Sequence, residues 1–254
     1  MLVFSCVDFN NDLNTNYYKP TIVIEGLVLD SVGRSYVKLS LSAPSGDSIN
    51  NTKIDNASVL IIENENIYDT FHLKSPGLYT DKDFIGKLYS NYTLIVVYNG
   101  QTFSAKSELL PVTTIDSLVY KVTDSLSENM LEYKVRAYAK RTFPDRNSFY
   151  KIKVYKNDSL FNGYSDLAIL TDVYMESFEG FEIPINFKSA DKFKIDIYSI
   201  SQQVYNYYDE LLELTLGNIN AIYFYPQNPA TNLSNGALGI FQVSSVSSKE
   251  IILP

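Results

Sequence analysis

The sequence predicts an all-β protein of two β-sandwich domains, with one α-helix in the second. Three observations carry that reading. Apolar and polar residues alternate with a period of two in many short runs, as in strands with one buried face. Turn signals separate these runs at intervals of about 8–12 residues. The composition holds 21 Tyr and 14 Phe with no Trp, an aromatic balance that favours strands. Of the 254 residues, 45% are hydrophobic, enough to fill a core.

The first domain is placed at 20–114. Ile22, Val23 and Ile24, then Leu27, Val28 and Leu29, flank Gly26. Val37, Leu39 and Leu41 alternate with Lys38, Ser40 and Ser42. Val59 to Ile62 is a short apolar run, and Ile67 to Leu73 follows the Glu-Asn-Glu-Asn turn. Ser75-Pro76-Gly77 punctuates the chain. Tyr92 to Tyr98 and Gln101 to Ala105 flank Asn99-Gly100, a hairpin signal because both residues tolerate positive φ. Leu109-Leu110-Pro111-Val112 closes the unit.

The second domain is placed at 115–254. Tyr133, Val135, Ala137 and Ala139 mark one strand. Tyr150, Ile152 and Val154 mark another, and Phe193, Ile195 and Ile197 a third. Further strands are expected at 220–225 and 237–246. A helix is expected at 201–216. The Ser201 hydroxyl can accept an orphan N–H of its first turn. Val204, Tyr208, Leu211, Tyr205, Leu212 and Leu216 form its apolar stripe, and Gly217-Asn218 ends it.

Residues 1–19 read as a truncated lipoprotein signal and a flexible tether. Leu2-Val3-Phe4-Ser5-Cys6 looks like a lipobox, with Cys6 as the acylated residue. Residues 7–19 are polar and Asn-rich, without a period. No run of about 18 apolar residues is present to span a bilayer as a helix.

The formal net charge is −8, which disfavours nucleic acid as a partner. One Cys and one His exclude an intrachain disulfide and a Cys/His zinc cluster. No cofactor or metal is expected. Any hydroxyl or thiol nucleophile would need His72 as its base, and no nucleophile motif lies nearby. Asp172, Glu176, Glu179 and Glu182 cluster in sequence, as a glycosidase pair could. A solvated acidic loop is the favoured reading of them.

The candidate binding residues are aromatic and basic. Tyr205, Tyr207 and Tyr208 lie on the helix, and Tyr223 and Tyr225 on the strand expected nearby. Tyrosine pairs a flat apolar face with a polar tip, which suits sugars and peptides. The loop 226–236, with Asn228 and Asn232, is a candidate recognition loop. Between 132 and 156 lie eight basic residues and two acids. A hairpin of 133–140 with 150–155 would gather Lys134, Arg136, Lys151 and Lys153 on one face. Such a face would meet an acidic partner or anionic headgroups, or serve only for solubility and edge protection.

Several segments together carry a family resemblance. They include Ile24-Glu25-Gly26, Ile54-Asp55-Asn56-Ala57-Ser58-Val59 and Pro76-Gly77-Leu78-Tyr79-Thr80. Gly86-Lys87-Leu88-Tyr89-Ser90-Asn91-Tyr92-Thr93-Leu94, Pro226-Gln227-Asn228-Pro229 and Asn232-Leu233-Ser234-Asn235-Gly236 follow in order. The chain resembles the Bacteroidota outer-membrane lipoproteins grouped as domain of unknown function 4249. Its first half also looks like immunoglobulin-like or transthyretin-like modules. The resemblance implies a non-enzymatic, lipid-anchored, surface-exposed outer-membrane protein that assists a TonB-dependent receptor by binding or capping cargo. A surface adhesin or assembly component, and a two-carboxylate glycan hydrolase, are the competing expectations.

Overall fold

A computed structural model describes residues 19–43, 52–123, 131–140, 143, 147–161, 168–172, 178–183, 185–216 and 228–254. It is all-β with one helix. Seven strands come first: β1 (Ile22–Leu29), β2 (Tyr36–Leu41), β3 (Ser58–Glu63), β4 (Ile67–Ser75), β5 (Leu78–Thr80), β6 (Asn91–Tyr98) and β7 (Gln101–Glu108). Then follow β8 (Ile115–Thr123), β9 (Glu132–Ala139), β10 (Phe149–Lys156), β11 (Ser159–Leu160) and β12 (Ile169–Thr171). The chain ends with β13 (Phe178–Glu182), β14 (Phe187–Lys188), β15 (Lys192–Ile200), α1 (Gln202–Leu216), β16 (Leu238–Ser244) and β17 (Val246–Ile252).

Period-two patterning places the first core. Ile22, Ile24 and Val28 of β1, Val37 and Leu39 of β2, and Tyr92, Leu94 and Val96 of β6 all point inward and are buried. The strand order is β16-β1-β2-β5-β4-β3-β6-β7. Asn99 and Gly100 turn between β6 and β7 at φ 48° and 73°, as their sequence predicts. The far edge is tied back to the start of the sheet. The Ser104 N–H donates to Ser234 Oγ at 2.8 Å, and the Ser234 N–H to the Ser104 carbonyl at 2.8 Å.

The division at residue 114 is crossed near the C-terminus. β16 pairs in parallel with β1, from Val23↔Leu238 to Leu29↔Ser244. Leu233, Ala237, Phe241 and Val243 therefore belong to the first core, not the second. The single strand expected at 237–246 is two strands, broken at Ser245. β16 completes the first sheet, and β17 pairs antiparallel with β15 in the second unit. Gly239 makes the parallel pairing possible. Its φ is +97°, and a Cβ there would collide with the Ile24 carbonyl oxygen.

The second unit stacks two sheets. One runs β11-β10-β15-β17, with β12 also on β10. The other centres on β9, flanked by β8, β13 and β14. Val135 and Ala137 of β9 meet Ile152 and Val154 of β10 and Ile195 and Ile197 of β15 in the core between them. The hairpin expected between 133–140 and 150–155 does not form. Alternation correctly fixes which side of each strand is buried, but it does not name the neighbour. Each strand buries its apolar side against the other across the sandwich. Lys134 and Arg136 therefore face outward on one surface, and Lys151 and Lys153 on the opposite one.

Helix α1 begins as its sequence predicts. The Val204 N–H donates to Ser201 Oγ at 3.3 Å, and the Tyr205 N–H to the Ser201 carbonyl at 2.9 Å. Val204, Tyr205 and Tyr208 of its apolar stripe join a third cluster between the two units, made by Leu29 and Ile240 from the first and Tyr198 and Ile200 from the second.

Candidate binding cleft at the junction

The two units are held together by polar as well as apolar contacts. Ser199 Oγ and Ser245 Oγ each donate to the Leu110 carbonyl at 2.7 Å. The Val246 N–H donates to Asp30 Oδ1 at 3.1 Å, and burial raises the Asp30 carboxyl above its usual value. Asp196 on β15 is fully buried. It accepts from Ser248 Oγ at 2.5 Å and Tyr198 Oη at 3.3 Å. Lys194 Nζ lies 3.3 Å from it, and Arg34 from the first unit 3.8 Å. A buried carboxylate needs such partners, because losing its hydration is costly.

A cleft of ≈ 230 Å³ opens beside this junction. Three elements build it. The outer face of the first sheet brings Glu25, Leu27, Tyr36, Ile240 and Gln242. Register explains why they meet: Glu25 lies beside Ile240 and Lys38, and Leu27 beside Gln242 and Tyr36. The outer face of the second unit brings Lys151, Lys153 and Tyr198, with Lys151 opposite Tyr198 and Lys153 opposite Asp196. The helix brings Tyr207, Tyr208 and Leu211.

Lysines rest on tyrosine rings around this cleft. Lys151 Nζ lies 3.6 Å from the Tyr208 ring centroid, Lys153 Nζ 5.6 Å from that of Tyr198, and Lys38 Nζ 5.0 Å from that of Tyr36. The ring quadrupole attracts a cation there and fixes the long side chain. Tyr208 Oη donates to Gln242 Oε1 at 3.1 Å, and Gln242 Nε2 donates to Ser244 Oγ at 2.8 Å. Burial pushes the Tyr198 and Tyr208 hydroxyls well above the ordinary tyrosine value, with Asp196 adding to the rise at Tyr198 and Tyr36 to that at Tyr208. Burial, then the Glu25 charge, raises Tyr36 and Tyr207 as well. All four stay protonated at neutral pH and present O–H groups, not phenolate.

The model of one protein family, described as "Domain of unknown function (DUF4249)", matches residues 8–250. The chain belongs to the DUF4249 family. The match covers both units and every residue of the cleft from Glu25 to Gln242. No curated protein matches the chain.

This DUF4249 chain brings together four of the residues singled out in the sequence: Tyr207, Tyr208, Lys151 and Lys153. Tyr205 instead packs on Phe149, ring centroids 5.0 Å apart. Asn232 serves the fold. Its Nδ2 donates to the Phe241 carbonyl at 2.8 Å and its Oδ1 accepts the Phe241 N–H at 3.0 Å, which satisfies β16 on its free edge. Asn228 is exposed away from the cleft lining. Tyr223, Tyr225 and Cys6 lie outside the described residues, as do the strand expected at 220–225 and the start of the 226–236 loop. His72 is exposed on β4, opposite Thr80.

The acidic cluster separates. Asp172 is fully buried, not solvated, accepting the Ser148 N–H at 2.6 Å and Tyr150 Oη at 3.3 Å. Glu182 lies on the outer face of the other sheet, 3.0 Å from Lys121, 3.1 Å from Lys134 and 3.4 Å from Arg136. Lys134 and Arg136 thus share a carboxylate and form no common patch with Lys151 and Lys153. Glu176 and the Glu179 side chain lie outside the described residues. The sequence reading missed Glu25, Tyr36, Tyr198 and Gln242 as site residues. The alternation of Tyr36 and Lys38 around Val37 was their only local signal.

These ion pairs predict an acid-dependent stability. Lys121 and then Lys134 hold the Glu182 carboxyl down to about 2, from an ordinary 4.5. At Asp191 burial opposes the charge, but Lys156, the Lys188 N–H and Asn157 outweigh it and lower the group to about 2, from 3.8. A depressed carboxyl stabilises the fold above its unfolded value, and that contribution is lost as pH falls through the folded value. The urea midpoint is therefore expected to fall as pH drops from about 4.5 to about 2. Glu182→Gln with Asp191→Asn should flatten that slope. An unchanged slope would show that other groups carry it.

Proposed function

We propose that this DUF4249 chain is a lipid-anchored outer-membrane protein that acts as an accessory binding or capping partner of a TonB-dependent receptor in nutrient uptake. Cys6 is the anchor and residues 7–19 the tether. Acyl chains contribute about 0.8 kcal/mol per buried methylene, so two or more hold a folded domain on a bilayer. The observation that carries the binding role is the junction cleft. It is lined by tyrosines and lysines whose positions are fixed by register, cation–π contacts and the Tyr208–Gln242–Ser244 hydrogen bonds. Clefts between packed units are where ligands commonly bind.

The test is recovery of the tagged full chain, expressed from its native locus, from outer membrane dissolved in mild detergent. A TonB-dependent receptor recovered in near-equal amount is the expected result. Recovery of the chain alone overturns the partnership.

A further inference from the structure

We propose that the junction cleft binds a small organic anion, a carboxylate or phosphate, held by Lys151, Lys153 and the hydroxyls of Tyr36 and Tyr207. This inference rests on reading the cleft as the ligand seat.

Charge, donor groups and size all favour an anion. The protein as a whole carries −8, yet among the described residues lining the cleft lysines outnumber carboxylates. Lys151 and Lys153 line it together with the carboxylate Glu25, and Lys38 stands opposite Glu25 and over the Tyr36 ring. Asp196, opposite Lys153, is fully buried and already paired with Lys194 and Arg34. An excess of lysines over carboxylates along a cleft raises the local concentration of anions.

Hydrogen-bonding capacity points the same way. An ammonium group has three donors and no acceptor. Among the described residues, the hydroxyls of Tyr36 and Tyr207 have no hydrogen-bond partner, and both residues line the cleft. Both stay protonated at neutral pH, so they can donate. A ligand with acceptor oxygens matches the ammonium groups and both hydroxyls. Hydrogen bonds to charged groups are also the stronger ones.

Size sets the scale. The cleft, at ≈ 230 Å³, lies below the range of about 300–1,000 Å³ that holds drug-sized ligands. It fits a single charged sugar or one residue of a longer molecule. The tyrosine faces are not open platforms, since Lys151 already covers that of Tyr208. Recognition would therefore come from the ammonium groups and hydroxyl tips and not from ring stacking.

The experiment is calorimetric titration of the purified full chain with galacturonate, glucose 6-phosphate and neutral galactose. Saturable binding of at least one anion, weakened by added salt, with none of galactose, is expected. The two anions separate carboxylate from phosphate preference. Lys153→Gln and Lys151→Gln should each weaken binding by about tenfold. Glu25→Gln should tighten it, because it removes the opposing carboxylate. This variant keeps the proposal testable if a lysine change disturbs the Tyr208 packing. No binding of either anion, equal binding of galactose, or indifference to both lysines and to Glu25 overturns the proposal. Anion binding that fails while a receptor still co-purifies removes the ligand class and leaves the accessory role. Binding that persists with no receptor removes the role and leaves the site.

Discussion

Gly239→Ala is expected to unfold the protein or to lower its stability by at least about 3 kcal/mol. Two costs add there. At φ +97° a residue with a Cβ is strained, by about 1–3 kcal/mol. The new methyl group would also strike the Ile24 carbonyl, backbone of the neighbouring strand that cannot rotate aside. Relief requires β1 and β16 to part, which would undo a parallel ladder running from Val23↔Leu238 to Leu29↔Ser244. Ile240 and Gln242, which line the cleft, lie on that strand. Urea unfolding followed by circular dichroism gives the loss. Near-native stability would mean that β16 does not sit so close to β1.

Phe241→Ala is expected to cost about 3–5 kcal/mol, the range for truncating a buried aromatic. The ring is fully buried in the first core, although its strand lies far along the chain from that core's other strands. It fills space left by Gly26, where a Cβ would come within 2.8 Å of Phe241 Cδ2. The two sites are therefore coupled. Gly26→Ala alone should destabilise, while Gly26→Ala combined with Phe241→Leu should cost less than the two single changes added together. Strict additivity would deny the contact.

The sequence exposes local structure well and long-range pairing poorly. Strands β2, β9, β10 and the first half of β15 are visible because one face is buried, so residues alternate, while β1, β3, β4, β6 and β7 are visible as short runs between turn signals. Helix α1 is visible through Ser201 and the Val204–Tyr208–Leu211 stripe. β16 hides its partner for a physical reason. Residues 239–244 are all buried, on one face by the first core and on the other by the junction cluster and helix. Without alternation, nothing local says which sheet the strand joins. The short strands β11 and β14, two residues each, are too brief to carry a period.

The cleft was legible only in part for the same reason. Tyr207, Tyr208, Lys151 and Lys153 stand out by residue type, and the sequence marks them. Glu25 and Tyr36 meet Tyr207 only because β16 crosses to β1 and carries the second unit and helix against the first sheet. The expected grouping of Lys134 and Arg136 with Lys151 and Lys153 failed because each strand paired within its own sheet.

The most direct measurement is the intact mass and membrane fractionation of the full chain expressed from its native locus, beside Cys6→Ala. The account predicts an acylated protein in the outer-membrane fraction, and an unmodified Cys6→Ala variant that is lost from it. An unacylated wild-type chain in the soluble fraction would contradict it, removing the anchor on which the proposed partnership with a receptor depends.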